Sequence, residues 1–310
     1  MAKSRGFWAD WTFRKLAALS AFLVVLILIA LAFVLYSESE LAIKAFGVWK
    51  FITSKVWNPP MEKFGGAPAI FGSIVSTVIS ILIAVPVAIG IAIFLTEIAP
   101  HPLRTPVGVA IELLAAIPSI IYGMWGLFFF APFMRDYLQP VIHATLGKLP
   151  LIGHWFEGYT PGIGLLTASI VLSIMILPYT AAISRDSFKM VPDVLKESAY
   201  ALGATKWDVM KDVVIPYAKL GVIGGIILSL GRALGETMAV TFVMGNQPVI
   251  PHSLLEPATS ITVTLANEFT EADSDIYLSS LFYLAFILFV MSFLVIAVGK
   301  FLFLKKVEKG

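Results

Sequence analysis

Arg185 to Pro216 reads RDSFKMVPDVLKESAYALGATKWDVMKDVVIP, a polar stretch set between two apolar runs at about residues 162–183 and 219–244. Each run is long enough to cross roughly 30 Å of hydrocarbon as a helix. Pro192 suits a first helical turn, and Asp193 places negative charge at the positive end of that helix. Val194, Leu195, Ser198, Ala199 and Leu202 recur at helical spacing and give a mostly apolar face. Gly203 supplies a stop, because glycine accepts the left-handed conformation that helix ends favour. Thr205 with Asp208 predicts a capping box opening a second helix, with Trp207, Met210 and Val214 on one side. Pro216 marks the passage into the next apolar run. The stretch reads as a short helix–turn–helix. Five acids face six bases between Arg185 and Lys219, a balance that suits a protein groove better than anionic lipid.

The rest of the chain places that hairpin at a membrane. Of 310 residues, 58% are hydrophobic and 14% charged, the composition of an integral membrane protein. Six apolar segments are predicted to span: 16–36, 70–95, 107–133, 162–183, 219–244 and 276–299. The first is too long, and lacks a convincing small-residue cleavage site, for a removed signal peptide; a signal anchor fits better. Trp8, Trp11 and Phe13 ahead of it read as an interfacial anchor. With 0 cysteines the chain has no thiol chemistry, and a net charge of +2 gives no footprint for nucleic acid. His101, His143, His154 and His252 are scattered without ligand spacing, so no metal site is expected. There is no paired Asp, H-E-x-x-H or Ser–His arrangement within the spans, and no catalytic residue is assigned.

Loop charges orient the spans. With the N-terminus inside, Lys3, Arg5, Arg14, Lys15, Arg104, the six bases of the hairpin, Lys300, Lys305, Lys306 and Lys309 are cytoplasmic. That is fifteen of 22 basic residues, against six outside. Both termini are therefore expected inside. The organisation is an interfacial segment at 1–15, a first span at 16–36, an outer loop at 37–69, a core at 70–304 carrying the hairpin at 185–216, and a tail at 305–310. The fold class is all-α, six transmembrane helices.

GRALGET, Gly231 to Thr237, puts the only two charges into the run from Leu220 to Leu255. An ion in hydrocarbon costs about 2.5–3.5 kcal/mol even on insertion scales, so Arg232 and Glu236 are functional candidates by default. Four residues apart, they are expected to neutralise each other along one helix. The fixed fork of a guanidinium matches a tetrahedral oxyanion, and Glu236 offers a competing carboxylate, so an anion can arrive and leave by partner exchange. Thr237 joins this expected anion pathway. Gly231 and Gly235 form a G-x-x-x-G pair suited to close helix packing. Glu112 sits near the end of the third span and is expected to snorkel, while Pro118 should kink that helix. Glu112, Pro118 and Ser119 are secondary pathway candidates.

The hairpin also carries a family resemblance. Glu197-Ser198-Ala199, Gly203 six residues after the Glu, then Val213, Ile215 and Pro216, resembles the EAA loop of ABC-importer permeases. The spacing matches throughout; Ser198, Val213 and Ile215 are mild departures. The resemblance implies a type I importer architecture in which Glu197, Ser198, Ala199, Gly203 and Pro216 belong to a loop that docks on a separate ATPase. No G-x-x-x-x-G-K-[ST] occurs, so no cofactor is expected here and ATP and Mg²⁺ would be held by that partner. GRALGETMAVTFVMGN, ELLAAIPSIIYGMWGLF from Glu112 and FGSIVSTVISILIAVPVAIGIAIFLTEIAP from Phe71 resemble the PstC family of phosphate-importer permeases. This implies phosphate as cargo, in the bacterial inner membrane. The implied partners are a PstA-like second permease, a PstB-like ATPase dimer and a periplasmic phosphate-binding protein. A sulfate or molybdate permease, and an ion-driven secondary transporter, are the rival readings.

Overall fold

The computed structural model describes residues 3–150, 152–158 and 161–301, with side chains from residue 9 onward. The predicted tail at 305–310 and the side chains of Lys3, Arg5 and Trp8 lie outside the described residues. Within them the chain is almost wholly helical, with two isolated bridges and no strand.

In chain order, α1 (Lys3–Glu38) is followed by two short helices, α2 (Glu40–Phe46) and α3 (Val48–Thr53). α4 (Ala67–Ile93) runs on through a π turn at Phe94–Ile98, and after a non-helical corner at Ala99–Pro100 the chain enters α5 (His101–Ala115). α6 (Ser119–Trp125) is extended through further π turns by α7 (Ala131–Phe133) and α8 (Gln139–Thr145). The second half holds α9 (Leu165–Lys189), α10 (Asp193–Ala201), α11 (Lys206–Val209) and α12 (Ile215–Leu234). It closes with α13 (Met238–Met244), α14 (Ile261–Glu268) and α15 (Asp275–Gly299).

Five helices among the described residues are long and apolar enough to cross a membrane, and a bent pair makes a sixth. That pair is the third predicted span, broken where Pro118 was expected to kink it: α5 and α6 meet at 88° across Ala116–Pro118. Pro118 lacks the N–H that would continue α5 and pushes Ile117 out of helical conformation, so the helix restarts at Ser119.

The fifth predicted span is corrected at both ends. α11, a π turn at Met210–Val214 and α12 form one helix from Lys206 to Leu234, so the second hairpin helix and the span are a single rod of 29 residues. The π turn falls just ahead of Pro216, where the missing N–H would strand a carbonyl one turn back. The rod stops at Leu234, and α13 begins only after Gly235, Glu236 and Thr237.

α9 is the most buried of the long helices and forms the centre. Against it lies a stripe of small residues on α4, namely Ser73, Ser76, Thr77, Ser80, Ala84 and Ala88, all buried. Small side chains let the two backbones approach, and the Ser80 hydroxyl donates to the Ser169 carbonyl of α9 at 2.7 Å. Leu172, Met175 and Ile176 of α9 then pack with Ala233 of α12 and Ala239, Val240 and Val243 of α13. At the end opposite the hairpin, Trp57, Phe64 and Tyr277 form an aromatic box. One Glu268 oxygen accepts from the Trp57 indole at 2.7 Å and the Tyr277 hydroxyl at 2.6 Å, which fixes α14 beside α15. α1 leans on α15 through Tyr36 and Phe286, 5.7 Å between ring centroids.

The two broken spans pack on each other. A Cβ at Gly123 of α6 would lie 2.5 Å from the Met238 carbonyl oxygen and 3.2 Å from the Ala239 Cα. Backbone cannot yield to it. Gly123→Val should therefore force α6 off α13 and cost about 1–3 kcal/mol or more. Thermal unfolding of the purified protein in detergent reads this, with Gly90→Ala, which meets open space, as the comparison that should lose no stability.

Candidate functional site

Arg232 lies in the last turn of α12, exposed, with its guanidinium carbon 5.6 Å from the Tyr179 ring centroid of α9. The carbonyl end of a helix favours a cation, and the ring face adds a second attraction. Glu236 stands beyond the helix end. Its Oε1 accepts from the Ala239 amide at 3.1 Å, and its own carbonyl accepts from the Thr262 hydroxyl at 2.7 Å. The pairing expected along one helix is therefore absent: no ion pair joins Arg232 and Glu236 among the described residues. Pairing at four residues needs an unbroken helix, and this one ends between them. Each charge is met by the helix end beside it, Arg232 by α12 and Glu236 by α13.

Thr237 opens α13, and its carbonyl accepts from the Thr241 hydroxyl at 2.8 Å. Around Glu236, Ser73, Ser76 and Thr77 of α4 meet Ser260 and Thr262 at the start of α14 in a small cleft. The sequence reading missed these hydroxyls. Their signal was present, since Ser73, Ser76, Thr77 and Ser80 repeat at helical spacing inside an apolar run. Of the packing pair, Gly231 does meet a neighbour, with its Cβ position 3.0 Å from Ile296 of α15. Gly235 meets no other helix there, because it forms the corner after α12.

The secondary candidates divide. Pro118 and Ser119 form the corner between α5 and α6, spanned by a 2.8 Å bond from the Tyr122 hydroxyl to the Leu114 carbonyl. Glu112 does not snorkel alone. It accepts from Arg185 at 2.7 Å, and Arg185, only 9% exposed, also bonds Asp186 at 2.8 Å. The pair lines a cavity of about 330 Å³ at the hairpin end.

At the hairpin, α10 buries none of its residues. Val194 is 69% exposed, Leu202 89% and Trp207 68%. Glu197, Ser198, Gly203 and Pro216 are exposed too, while Ala199 is half-buried. Gly203 ends α10 at φ +86°, a conformation that favours glycine. The predicted side of the second helix is split: Met210 and Val214 enter the core, but Trp207 points away from it. Pro192 stands at the N-cap of α10, one position before the first turn. Lys196 donates to Glu97 across 2.6 Å, a pair that nothing in the sequence announced.

Known proteins resemble this chain. Residues 64–305 match the family described as binding-protein-dependent transport system inner membrane component. The chain is 51% identical over 296 residues to the phosphate transport system permease protein PstC of Mesorhizobium japonicum, covering 96% of this chain and 90% of that one. The PstC of Pasteurella multocida is 50% identical, covering 96% and 92%. The chain belongs to the PstC family of these permeases. Among solved structures, the bacterial alginate ABC transporter with its alginate-bound periplasmic protein matches with a TM-score of 0.62 over 97% of this chain and 96% of that one, at 15% identity. That likeness concerns the fold.

The hairpin is held in shape by one reciprocal cap. The Asp208 amide donates to the Thr205 hydroxyl at 3.3 Å, and the Thr205 amide donates to the Asp208 carboxylate at 2.9 Å. The bonds from the Thr205 side chain and backbone hold the Asp208 carboxyl below the usual carboxylate range. A depressed value means that its contribution is present above the ordinary pKa and is lost as pH falls through the lowered one. A spin label at Trp207→Cys, introduced into a chain with 0 cysteines, should thus be more mobile with Asp208→Asn at neutral pH. That difference should vanish as acid protonates Asp208.

Proposed function

We propose that this chain is one permease half of an ATP-driven importer that carries inorganic phosphate across the bacterial cytoplasmic membrane. The observation that carries the reading is the near-half identity, over almost the whole of both chains, to permeases named for phosphate transport. Its partners are then a PstA-like second permease, a PstB-like ATPase dimer that binds ATP and Mg²⁺, and a phosphate-binding protein outside. The hairpin and both termini face the cytoplasm in this reading, which the distribution of basic residues favours. Glu197, Ser198, Ala199, Gly203 and Pro216 lie on the surface that meets the ATPase. The exposed Val194, Leu202 and Trp207 support this, being apolar side chains on a polar loop with a protein groove still to fill.

Arg232 is the anion contact in this reading. It is open to its surroundings, so a phosphate can reach it, and its donors fit two oxyanion oxygens at once. Two features keep the hold loose enough for release. The carbonyl end of α12 opposes a negative charge, and Glu236 stands at the same corner as a like charge. Thr237 follows Glu236 at the corner, and the hydroxyls of Ser73, Ser76 and Thr262 line the small cleft beside Glu236.

Reconstitution with the three partners in vesicles tests the proposal. Labelled phosphate should accumulate only with ATP, and sulfate or molybdate should fail to compete. Arg232→Gln should lower uptake by about tenfold or more, the factor expected for loss of a charge-assisted contact, without changing assembly. Undiminished uptake would remove Arg232 from the pathway, and uptake without the ATPase would point to an ion-driven carrier.

A further inference from the structure

α10 presents its apolar face outward and buries no residue of its own, so its packing on the spans is slight. Half-buried Ala199 and Ala204 rest against the cluster of Phe188, Val209 and Val214, and Val191, just ahead of the helix, is buried in the same cluster. A further tie is polar. Lys196 Nζ meets Glu97 Oε1 at 2.6 Å, with the two side chains only 16% and 17% exposed. Glu97 sits in the π turn that ends the α4 span, where the Thr96 hydroxyl already turns back onto the Ala92 carbonyl. Of the charges lining the adjoining cavity, Arg185 is committed to Glu112 and Asp186 and the Arg104 Nε to the Ala99 carbonyl, while Lys189 and Asp193 also line it.

We propose that Lys196 and Glu97 are the positioning pair that makes α4 move with α10 when the hairpin is displaced. The two hairpin helices are otherwise attached very unequally. α11 is continuous with α12 and carries that span with it. α10 is joined to α9 through Met190–Pro192, with Val191 buried in the core, and to α11 through Gly203 at φ +86° with open space around it; neither link passes through α4. The pair adds a polar tie to α4 and delivers the displacement to the helix that brings Ser73, Ser76 and Thr77 beside Glu236. A largely buried ion pair suits the task, since removing one partner strands a charge, whereas exchanging the partners keeps the contact.

The inference rests on the reading of the hairpin as the ATPase contact, and its test separates the two. In vesicles holding the assembled importer, ATP hydrolysis and phosphate uptake are measured on the same sample. Lys196→Met and Glu97→Gln should each raise the ATP spent per phosphate by about fivefold or more, at unchanged complex yield. Glu97→Lys combined with Lys196→Glu should bring the ratio back. A pair that only stabilised the fold would lower both rates together and leave the ratio alone, and that result overturns the proposal. So does an exchanged pair no better than the single variants. A second measurement needs no transport. Spin labels at Phe94→Cys and Tyr200→Cys in the assembled complex should give one narrow distance distribution that broadens with Lys196→Met. An unchanged distribution overturns the pairing even if the cargo proves not to be phosphate.

Discussion

In hydrocarbon, every backbone N–H and carbonyl must find its partner inside the protein, so a broken span is tolerated only where other protein takes up the freed groups. This chain breaks two of its spans and packs one break on the other. α6 restarts after Pro118 and lies against the first turn of α13, which restarts after Thr237, with Gly123 at the point of closest approach. The Glu236 carbonyl, released where α12 ends, is taken by the Thr262 hydroxyl from α14. α14 is itself fixed at its far end by Glu268 between Trp57 and Tyr277. Arg232 and Glu236 owe their separation to that arrangement. Had the fifth span run on as a straight helix, the two charges would have stood one turn apart on the same face, within reach of each other.

The hairpin follows a different logic. Its shape is local, set by the cap between Thr205 and Asp208 and by the positive φ of Gly203, while its surface is left unfinished. Exposed apolar residues on a small polar motif are costly in isolation and reasonable at an interface. The opposite surface of the membrane domain is finished from within, by the aromatic box around Glu268.

What could be read from the residues divides along the same line. Spans followed from hydropathy, and the caps of the hairpin from short-range chemistry, because both depend on neighbours in sequence. Pro118 announced its break, since the missing N–H is a property of the residue. The break at Gly235–Thr237 carried no such mark. It depends on Thr262, 26 residues away, and on the backbone approach at Gly123. The G-x-x-x-G pattern there misled in part, because Gly235 serves a corner and only Gly231 a helix contact. Glu97 and Lys196 stand 99 residues apart, and neither is unusual for its segment, so no local rule selects them. The continuity of α11 with α12 was hidden by Pro216, which ordinarily signals an end; a preceding π turn absorbs it.

That continuity has a mechanical consequence. From Lys206 to Leu234 the chain is one helix of about 43 Å at 1.5 Å per residue, with a π turn and Pro216 near its foot and regular α-helix above them. A tilt applied above that turn is delivered to the far end, where Arg232 stands in the last turn, immediately before the helix stops. The guanidinium and the elbow are adjacent, so tilting this helix reorients the cation.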